Sequence, residues 1–159
     1  PLNARPLPNG NVLIPEHTKN RVVEVTRDHK VVWSHKMSGL TCDAHRLPNG
    51  NTLVAGGKLV QEVTPEGKVI WEYAATLPYG IEPLPGGNVI VCDLTANKVF
   101  EVNRQKEILW SLDEPRPADA FRLPSGNTLI TSSVRFFEIS PDRKVIWEQD
   151  GCRYGTARR

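Results

Sequence analysis

The feature that most constrains the fold is a phrase that occurs four times. LPNGNVLI starts at Leu7, and LPNGNTLV, LPGGNVIV and LPSGNTLI start at Leu47, Leu84 and Leu123. A second phrase keeps the same spacing and ends in tryptophan each time, at Trp33, Trp71, Trp110 and Trp147, which are all the tryptophans of the chain. A rare residue at one position of every copy indicates four structural repeats of about 40 residues.

Each repeat predicts four short antiparallel strands. In the second repeat they span residues 41–47, 52–55, 59–64 and 68–73. Residues typical of turns separate them, because proline presets a negative φ and glycine and asparagine accept a positive one. No segment has a sustained helical period, which excludes an α-solenoid. We therefore predict an all-β fold, a β-propeller of four four-stranded antiparallel blades in one domain of residues 1–159.

The predicted blades span about 1–36, 37–74, 75–112 and 113–150, and residue size supports this division. Neighbouring blades of a propeller are close together near the axis and farther apart at the rim. We therefore expect small residues on the inner strand and large ones on the outer strand. Ala4, Ala44, Gly80 and Ala120 lie near the start of the first strand of each blade. A large ring on the last strand buries much apolar area. We assign a structural role, docking on the next blade, to Trp33, Trp71, Trp110 and Trp147.

The end of the chain suggests how the ring closes. Tyr154-Gly155-Thr156-Ala157 matches the first strand of blade 3, which begins Tyr79-Gly80-Ile81-Glu82. Residues 152–158 are therefore predicted to add an inner strand to blade 1, which would remove an open sheet edge and give a monomer. The alternative is part of a six- to eight-bladed ring, completed by further sequence or by a second copy in a dimer. The chain starts at Pro1 without methionine, which leaves a processed form or a fragment as alternatives.

Composition narrows the partners. The net charge of +2 does not indicate a nucleic-acid partner. No apolar run approaches the roughly 18 residues that a membrane span needs. The widely spaced Cys42, Cys92 and Cys152 suggest no zinc or redox motif, and they leave their own redox state open.

One position of the first strand carries candidate ligand-binding residues. It holds Asn3, Asp43, Gly80 and Asp119 in the four repeats. In a four-bladed ring, Asp43 and Asp119 would face each other, and a proton, a cation or a basic side chain would have to neutralise them. A channel cation on these two residues is therefore one hypothesis. The alternative, which we favour, is that each carboxylate accepts backbone amides of its own loop.

Two positions further along the strand, His45 has Arg5, Glu82 and Phe121 as its counterparts in the other repeats. A packing role for this lone histidine is favoured over a binding role. No Ser-His-Asp set and no phosphate-binding loop can be identified. We therefore predict a noncatalytic binding or scaffold propeller that binds a protein or a small molecule at the loop face around the channel. The loop face is the one that carries the loops between blades and the loops between the second and third strands. The candidate residues for the channel and the ligand are Asn3, Asp43, His45, Tyr79, Glu82, Asp119 and Tyr154, and the loop face also carries His17, Asp93 and Arg116.

The segment TPEGKVIW, residues 64–71, resembles the tryptophan-docking motif of PQQ-like, or quinoprotein-type, β-propellers. The LPNGNTL phrase is similar to repeats of bacterial PQQ-like propellers and of arylsulfotransferase propellers. The resemblance implies an enzyme of quinoprotein or arylsulfotransferase type as the alternative function, with His45 as a channel histidine, in the periplasm or outside the cell. The Gly-Lys pair of the motif is complete only in blade 2, so PQQ itself is not predicted as a cofactor.

Overall fold

The computed structural model describes residues 3–150, which form sixteen β-strands and one short 3-10 helix. The strands make four four-stranded antiparallel sheets, and each sheet takes four strands that are consecutive in the chain. This is the predicted series of four propeller blades, so the all-β fold class is confirmed. The one helix of this part of the chain is far too short to cross a membrane.

The strands of blades 1 and 2 follow the repeat. Blade 1 comprises β1 (Arg5–Pro6), β2 (Val12–Glu16), β3 (Arg21–Val25) and β4 (Val31–Lys36), with the 3-10 helix η1 (His17–Lys19) before β3. Blade 2 comprises β5 (Thr41–Arg46), β6 (Thr52–Gly56), β7 (Leu59–Val63) and β8 (Val69–Ala74). Each strand predicted for the second repeat is found to within about one residue at either end, the usual uncertainty of strand boundaries.

Blades 3 and 4 repeat the same order. Blade 3 comprises β9 (Pro78–Pro83), β10 (Val89–Asp93), β11 (Lys98–Val102) and β12 (Ile108–Asp113). Blade 4 comprises β13 (Pro117–Arg122), β14 (Thr128–Ser132), β15 (Arg135–Ile139) and β16 (Val145–Asp150). The predicted closing strand, residues 152–158, lies outside the described residues.

The chain divides into two compact units, Pro1–Pro78 and Tyr79–Arg159, which we call the first and the second unit. Each unit contains two blades and buries its own apolar core. The core of the first unit draws on both of its blades, with Leu13, Val22, Met37, Ala44, Val54 and Val63. That of the second unit does the same, with Ile90, Cys92, Val99, Ala120, Ile130, Phe137 and Ile139.

The turn between the first two strands explains the repeated phrase. In blade 1 the Leu7 amide donates to Asn11 O at 2.8 Å, and the Gly10 amide donates to Leu7 O at 2.9 Å. Gly10 has a φ of +83°, and the matching glycines of the other blades also have positive φ. Glycine adopts this left-handed conformation without steric cost. The phrase therefore recurs because each blade makes the same left-handed turn.

The last asparagine of the phrase has a second task within its own blade. Its side-chain amide donates to a glutamate on the third strand, in the pairs Asn11–Glu24 at 2.6 Å, Asn51–Glu62 at 2.6 Å, Asn88–Glu101 at 2.8 Å and Asn127–Glu138 at 2.8 Å. We call this hydrogen bond the Asn–Glu brace. Because it joins the first turn to the third strand, it fixes the turn on the blade.

Candidate functional site

A buried charged cluster lies where the first strands of blades 1 and 2 meet, within the first unit. The side chain of Asp43, on β5, is 0% exposed. Arg5 of β1 donates from Nη2 to Oδ1 at 3.1 Å and to Oδ2 at 3.3 Å. The Ala44 amide donates to Oδ1 at 2.9 Å. Arg5 thus supplies the basic side chain that the charge of Asp43 requires.

His45 completes this cluster. Its Nε2 lies 3.4 Å from Oδ2 of Asp43, but without hydrogen-bond geometry. Residues two apart on a strand point to the same face, which brings His45 to the side of Asp43. The register of β5 also shifts between Thr41 and Asp43, and such a bulge changes the direction of the side chains around it.

An open pocket of about 400 Å³ borders the cluster. Its lining comes from two matching segments of blades 1 and 2, which are Arg5, Pro6, Leu7 and Pro8 together with His45, Arg46, Leu47 and Pro48. These segments lead into the turns between the first and second strands. The prediction from the sequence was instead the loop face, which carries the loops between blades and the loops between the second and third strands.

Arg46 lines the pocket and also ties blade 2 to blade 1. Its Nη2 donates to Oε2 of Glu24 at 2.6 Å, and its Nη1 donates to Gly50 O at 3.1 Å. The guanidinium lies over the ring of Trp33, 5.3 Å from the centroid, which is a cation–π distance. We call an arginine that binds both the glutamate and the tryptophan of the preceding blade an arginine clasp.

The second unit has its own arginine clasp. Arg122 of blade 4 donates to Oε2 of Glu101 at 2.8 Å and lies 6.0 Å from the ring centroid of Trp110 in blade 3. In blade 4 itself, Trp147 is 46% exposed and meets Phe136 edge-on at 5.4 Å. The structure thus places two of the four tryptophans, Trp33 and Trp110, under an arginine of the next blade.

The electrostatics around Glu24 favour its charged form. Burial alone would raise the pKa of this carboxyl, but hydrogen bonds from Asn11 and Asn9 and the charge of Arg46 outweigh burial and lower the pKa. This glutamate was not among the residues predicted from the sequence. A signal was present, since glutamate occupies the same repeat position as Glu24, Glu62, Glu101 and Glu138.

Within the described residues, the second unit does not repeat the cluster of Arg5, Asp43 and His45. At the repeat positions of Arg5 and His45 it carries Glu82 and Phe121. Asp119, the counterpart of Asp43, is half-buried, and its Oδ1 accepts the Ala120 amide at 3.0 Å. Both aspartates therefore accept the amide of the following residue, which lies on the same strand and not in a loop. A cation between them remains a prediction, because they belong to different units.

Gly80 shows how little space the first strands of the second unit leave. A Cβ atom at this position would lie 2.4 Å from Ala118 O and 3.1 Å from Asp119 Cα. Only glycine permits this approach of β9 to β13. Among residues 3–150, no group of three or more His, Cys, Asp or Glu side chains could hold a metal ion.

The other predicted candidates are spread over the two units. Asn3 is half-buried in the first unit, and Tyr79 and Glu82 are half-buried in the second, whereas Tyr154 lies outside the described residues. On the loop side of the first unit, His17 Nδ1 lies 3.1 Å from Thr41 O. The structure therefore brings together Asp43, His45 and Arg5, and Arg5 had appeared in the sequence only as a counterpart of His45.

The Cys42 thiol lies beside His17, 3.9 Å from Nδ1. Burial, and secondarily the charge of Asp43, raise the pKa of this thiol to about 12. At neutral pH Cys42 is therefore a protonated thiol, which neither binds metals well nor acts as a nucleophile.

The second unit contains a buried carboxylate of its own, Glu114, which was not predicted from the sequence. Glu114 follows β12, and its side chain is 0% exposed. Its Oε2 accepts a hydrogen bond from Arg135 Nη2 at 2.7 Å, and its Oε1 accepts one from the Ser132 hydroxyl at 2.7 Å. Arg135 also donates to Glu148 at 2.9 Å. The glutamate is thus held by partners on two strands of blade 4.

Solved structures of other proteins resemble this chain in fold, whereas searches by sequence find no match. No family model and no curated protein sequence matches the chain. A protein of unknown function from Bacteroides caccae superposes with a TM-score of 0.76 and 20% identity, over 92% of this chain and 59% of its own. Virginiamycin B lyase from Staphylococcus aureus superposes with a TM-score of 0.72 and 15% identity, over 93% of this chain and 54% of its own.

The WD40 β-propeller domain of Doa1 gives a TM-score of 0.73 at 15% identity, over 83% of this chain and 47% of its own. The chain therefore spans only about half of the length of these solved structures. At such low identity the likeness carries fold and not activity. Together with the four sheets, these neighbours show that the chain has a β-propeller fold.

Proposed function

We propose that the chain is a noncatalytic binding propeller whose ligand site is the pocket between β1 and β5 in the first unit. The observation that carries the proposal is the Arg5–Asp43–His45 cluster at this pocket, in which Asp43 is buried and Arg5 and His45 line the pocket. A volume of about 400 Å³ lies within the range of small-molecule sites. Such sites combine apolar walls with a few fixed polar groups, and this pocket has both.

The chemistry at the pocket supports binding over catalysis. The Asp43 carboxylate is buried and held by Arg5 and by the Ala44 amide, so it is poorly placed to take a proton from a substrate. The nearby Cys42 is a protonated thiol rather than a nucleophilic thiolate. The enzyme alternative of quinoprotein or arylsulfotransferase type is therefore not favoured.

Isothermal titration of the full chain with small anionic, neutral and cationic compounds tests the proposal. The key variant is His45→Phe, which introduces the residue that blade 4 carries at this repeat position. Its matched control, Phe121→His, makes the reverse change in the second unit. We expect saturable binding by the unmodified chain, loss of binding in His45→Phe and no change in Phe121→His.

Two results would overturn this function. One is the absence of saturable binding for every class of compound. The other is turnover, measured as redox activity with added PQQ or as cleavage of an aryl sulfate ester.

A further inference from the structure

We propose that this pocket takes a small monocarboxylate with an apolar body, and that Arg5 is the residue that binds the carboxylate. This inference rests on the proposed function and adds the class of ligand. It follows from three features of the pocket, which are the unused donors of Arg5, the fixed position of its guanidinium and the apolar character of the walls.

The first feature is the hydrogen bonding of Arg5. A guanidinium has five N–H donors, and within the described residues Arg5 uses only Nη2, which binds Asp43. Its Nε is buried without a partner, and 22% of its side chain is exposed. The buried Nε is out of reach of a ligand in the pocket, but the exposed part of the guanidinium has N–H donors that can bind a ligand with acceptors. A planar carboxylate matches the donor geometry of a guanidinium best.

The second feature is the position of Asp43, which holds the guanidinium from the buried side. Asp43 accepts from Nη2 and from the Ala44 amide, so the arginine is oriented before a ligand arrives. Orientation in advance lowers the entropy lost on binding. The same carboxylate cancels part of the charge of Arg5, so hydrogen-bond geometry contributes more to ligand selection than net charge does.

The third feature is the composition of the walls. Pro6, Pro8 and Pro48 have no backbone N–H, and Leu7 and Leu47 add aliphatic surface. Arg46, the other cation at the pocket, already binds Glu24 and Gly50 O. The pocket therefore offers one position for an anionic group and apolar surface for the rest of the ligand. This arrangement favours a monocarboxylate over a dicarboxylate or an inorganic anion.

Matched small molecules test the inference by isothermal titration. Benzoate, benzamide and benzylamine share a ring and differ in charge, while acetate has the carboxylate without an apolar body. We expect benzoate to bind about tenfold more tightly than benzamide, since benzoate offers arginine two charged acceptor oxygens where benzamide offers one neutral acceptor. Acetate should bind more weakly than benzoate, and benzylamine should not bind.

Three variants assign the carboxylate to Arg5. Arg5→Lys keeps a positive charge for Asp43 but loses the planar donors, and it should weaken benzoate about tenfold or more. Asp43→Asn still accepts from Arg5 and from Ala44 but removes the competing charge, so it should bind benzoate several-fold more tightly. Lys68→Gln, in an exposed turn of the same unit, removes one positive charge elsewhere and should leave binding unchanged.

The variants must first show the far-ultraviolet spectrum of the unmodified chain. Benzamide or benzylamine binding as tightly as benzoate, with loss of binding in His45→Phe, would contradict the carboxylate inference and leave the proposed function standing. Equal benzoate binding by Arg5→Lys and the unmodified chain would exclude Arg5 as the binding residue. If none of the compounds binds, the proposed function fails as well.

Discussion

Each unit consists of two blades with one arginine clasp, but the two units carry chemically different side chains at one matching pair of positions. In the first unit Met37, 6% exposed, joins the apolar core with Leu59 packed against it. The same repeat positions in the second unit hold Glu114, which is buried, and Arg135, which is half-buried and forms an ion pair with it. One backbone thus accepts either an apolar contact or paired charges. The apolar contact and the ion pair should differ in the stability that is lost when one of the two side chains is replaced.

The units differ again at the first strands. The first unit joins Arg5 and His45 to Asp43, whereas the second unit has Glu82 and Phe121 at the positions of Arg5 and His45. A repeated scaffold therefore presents a basic residue in one unit and an acidic residue at the same position in the other. Under the proposed function, the side chains at these positions would select the ligand, and the backbone of the blade would not.

The largest effect should come from breaking the ion pair between Arg135 and the buried Glu114 in the second unit. Arg135→Leu leaves the charge of Glu114 buried without its cation, which should lower the free energy of unfolding by about 3–5 kcal/mol. Adding Glu114→Met copies the first unit at both positions, and the double variant should recover most of the loss. Urea denaturation measures both values. A double variant as unstable as Arg135→Leu would show that the apolar contact and the ion pair are not interchangeable.

The next effect tests whether the two arginine clasps are equivalent. Arg46→Ala and Arg122→Ala should each cost about 1–3 kcal/mol, because each removes a charged hydrogen bond and a cation–π contact from a largely buried glutamate and a tryptophan. Thermal unfolding with each variant gives the comparison. Arg27→Ala, in an exposed turn, is the control. If only one of the two variants lost stability, the two clasps would have the same geometry but contribute differently to the free energy of unfolding.

A smaller effect concerns acid stability in the first unit. The folded state holds the pKa of Glu24 below its usual value of 4.5, so the unfolded chain takes up the proton first as the pH falls. The stabilisation is therefore present above about pH 4.5 and is lost as the pH falls through the folded pKa. Glu24→Gln should be less stable than the unmodified chain at pH 7 and should lose less stability on acidification. Denaturation at several pH values checks this, and parallel pH curves for the two proteins would contradict it.

The smallest effect concerns the buried thiols of residues 3–150, which are Cys42 in the first unit and Cys92 in the second. With its pKa raised to about 12, Cys42 should react with iodoacetamide at pH 7.5 far more slowly than in the unfolded chain. Peptide mapping by mass spectrometry, with a sample in denaturant as the control, gives the rate at each cysteine. Rapid labelling of Cys42 in the native chain would show that β5 opens more readily than its burial implies.

The sequence was sufficient for the fold because the information is local and repeated. The turn phrase fixes a left-handed glycine, and the spacing of its four copies predicts every blade. The site needed the structure, since Arg5 and Asp43 come from different blades and no sequence pattern gives their distance. Glu114 was missed for another reason. A charged residue in a loop is usually solvated, and its partners Ser132 and Arg135 lie about twenty positions away in the chain.

The Asn–Glu brace lies within one repeat, whereas the arginine clasp joins two repeats. This difference determines how many blades can be added or removed at a time. Every copy brings both members of its brace, but the arginine of a clasp belongs to the copy that follows, and only the second and fourth copies have it. Pro6 and Pro83 occupy that position in the first and third copies. The natural unit of duplication is therefore a pair of blades of about 80 residues. Engineered arrays should gain or lose blades two at a time.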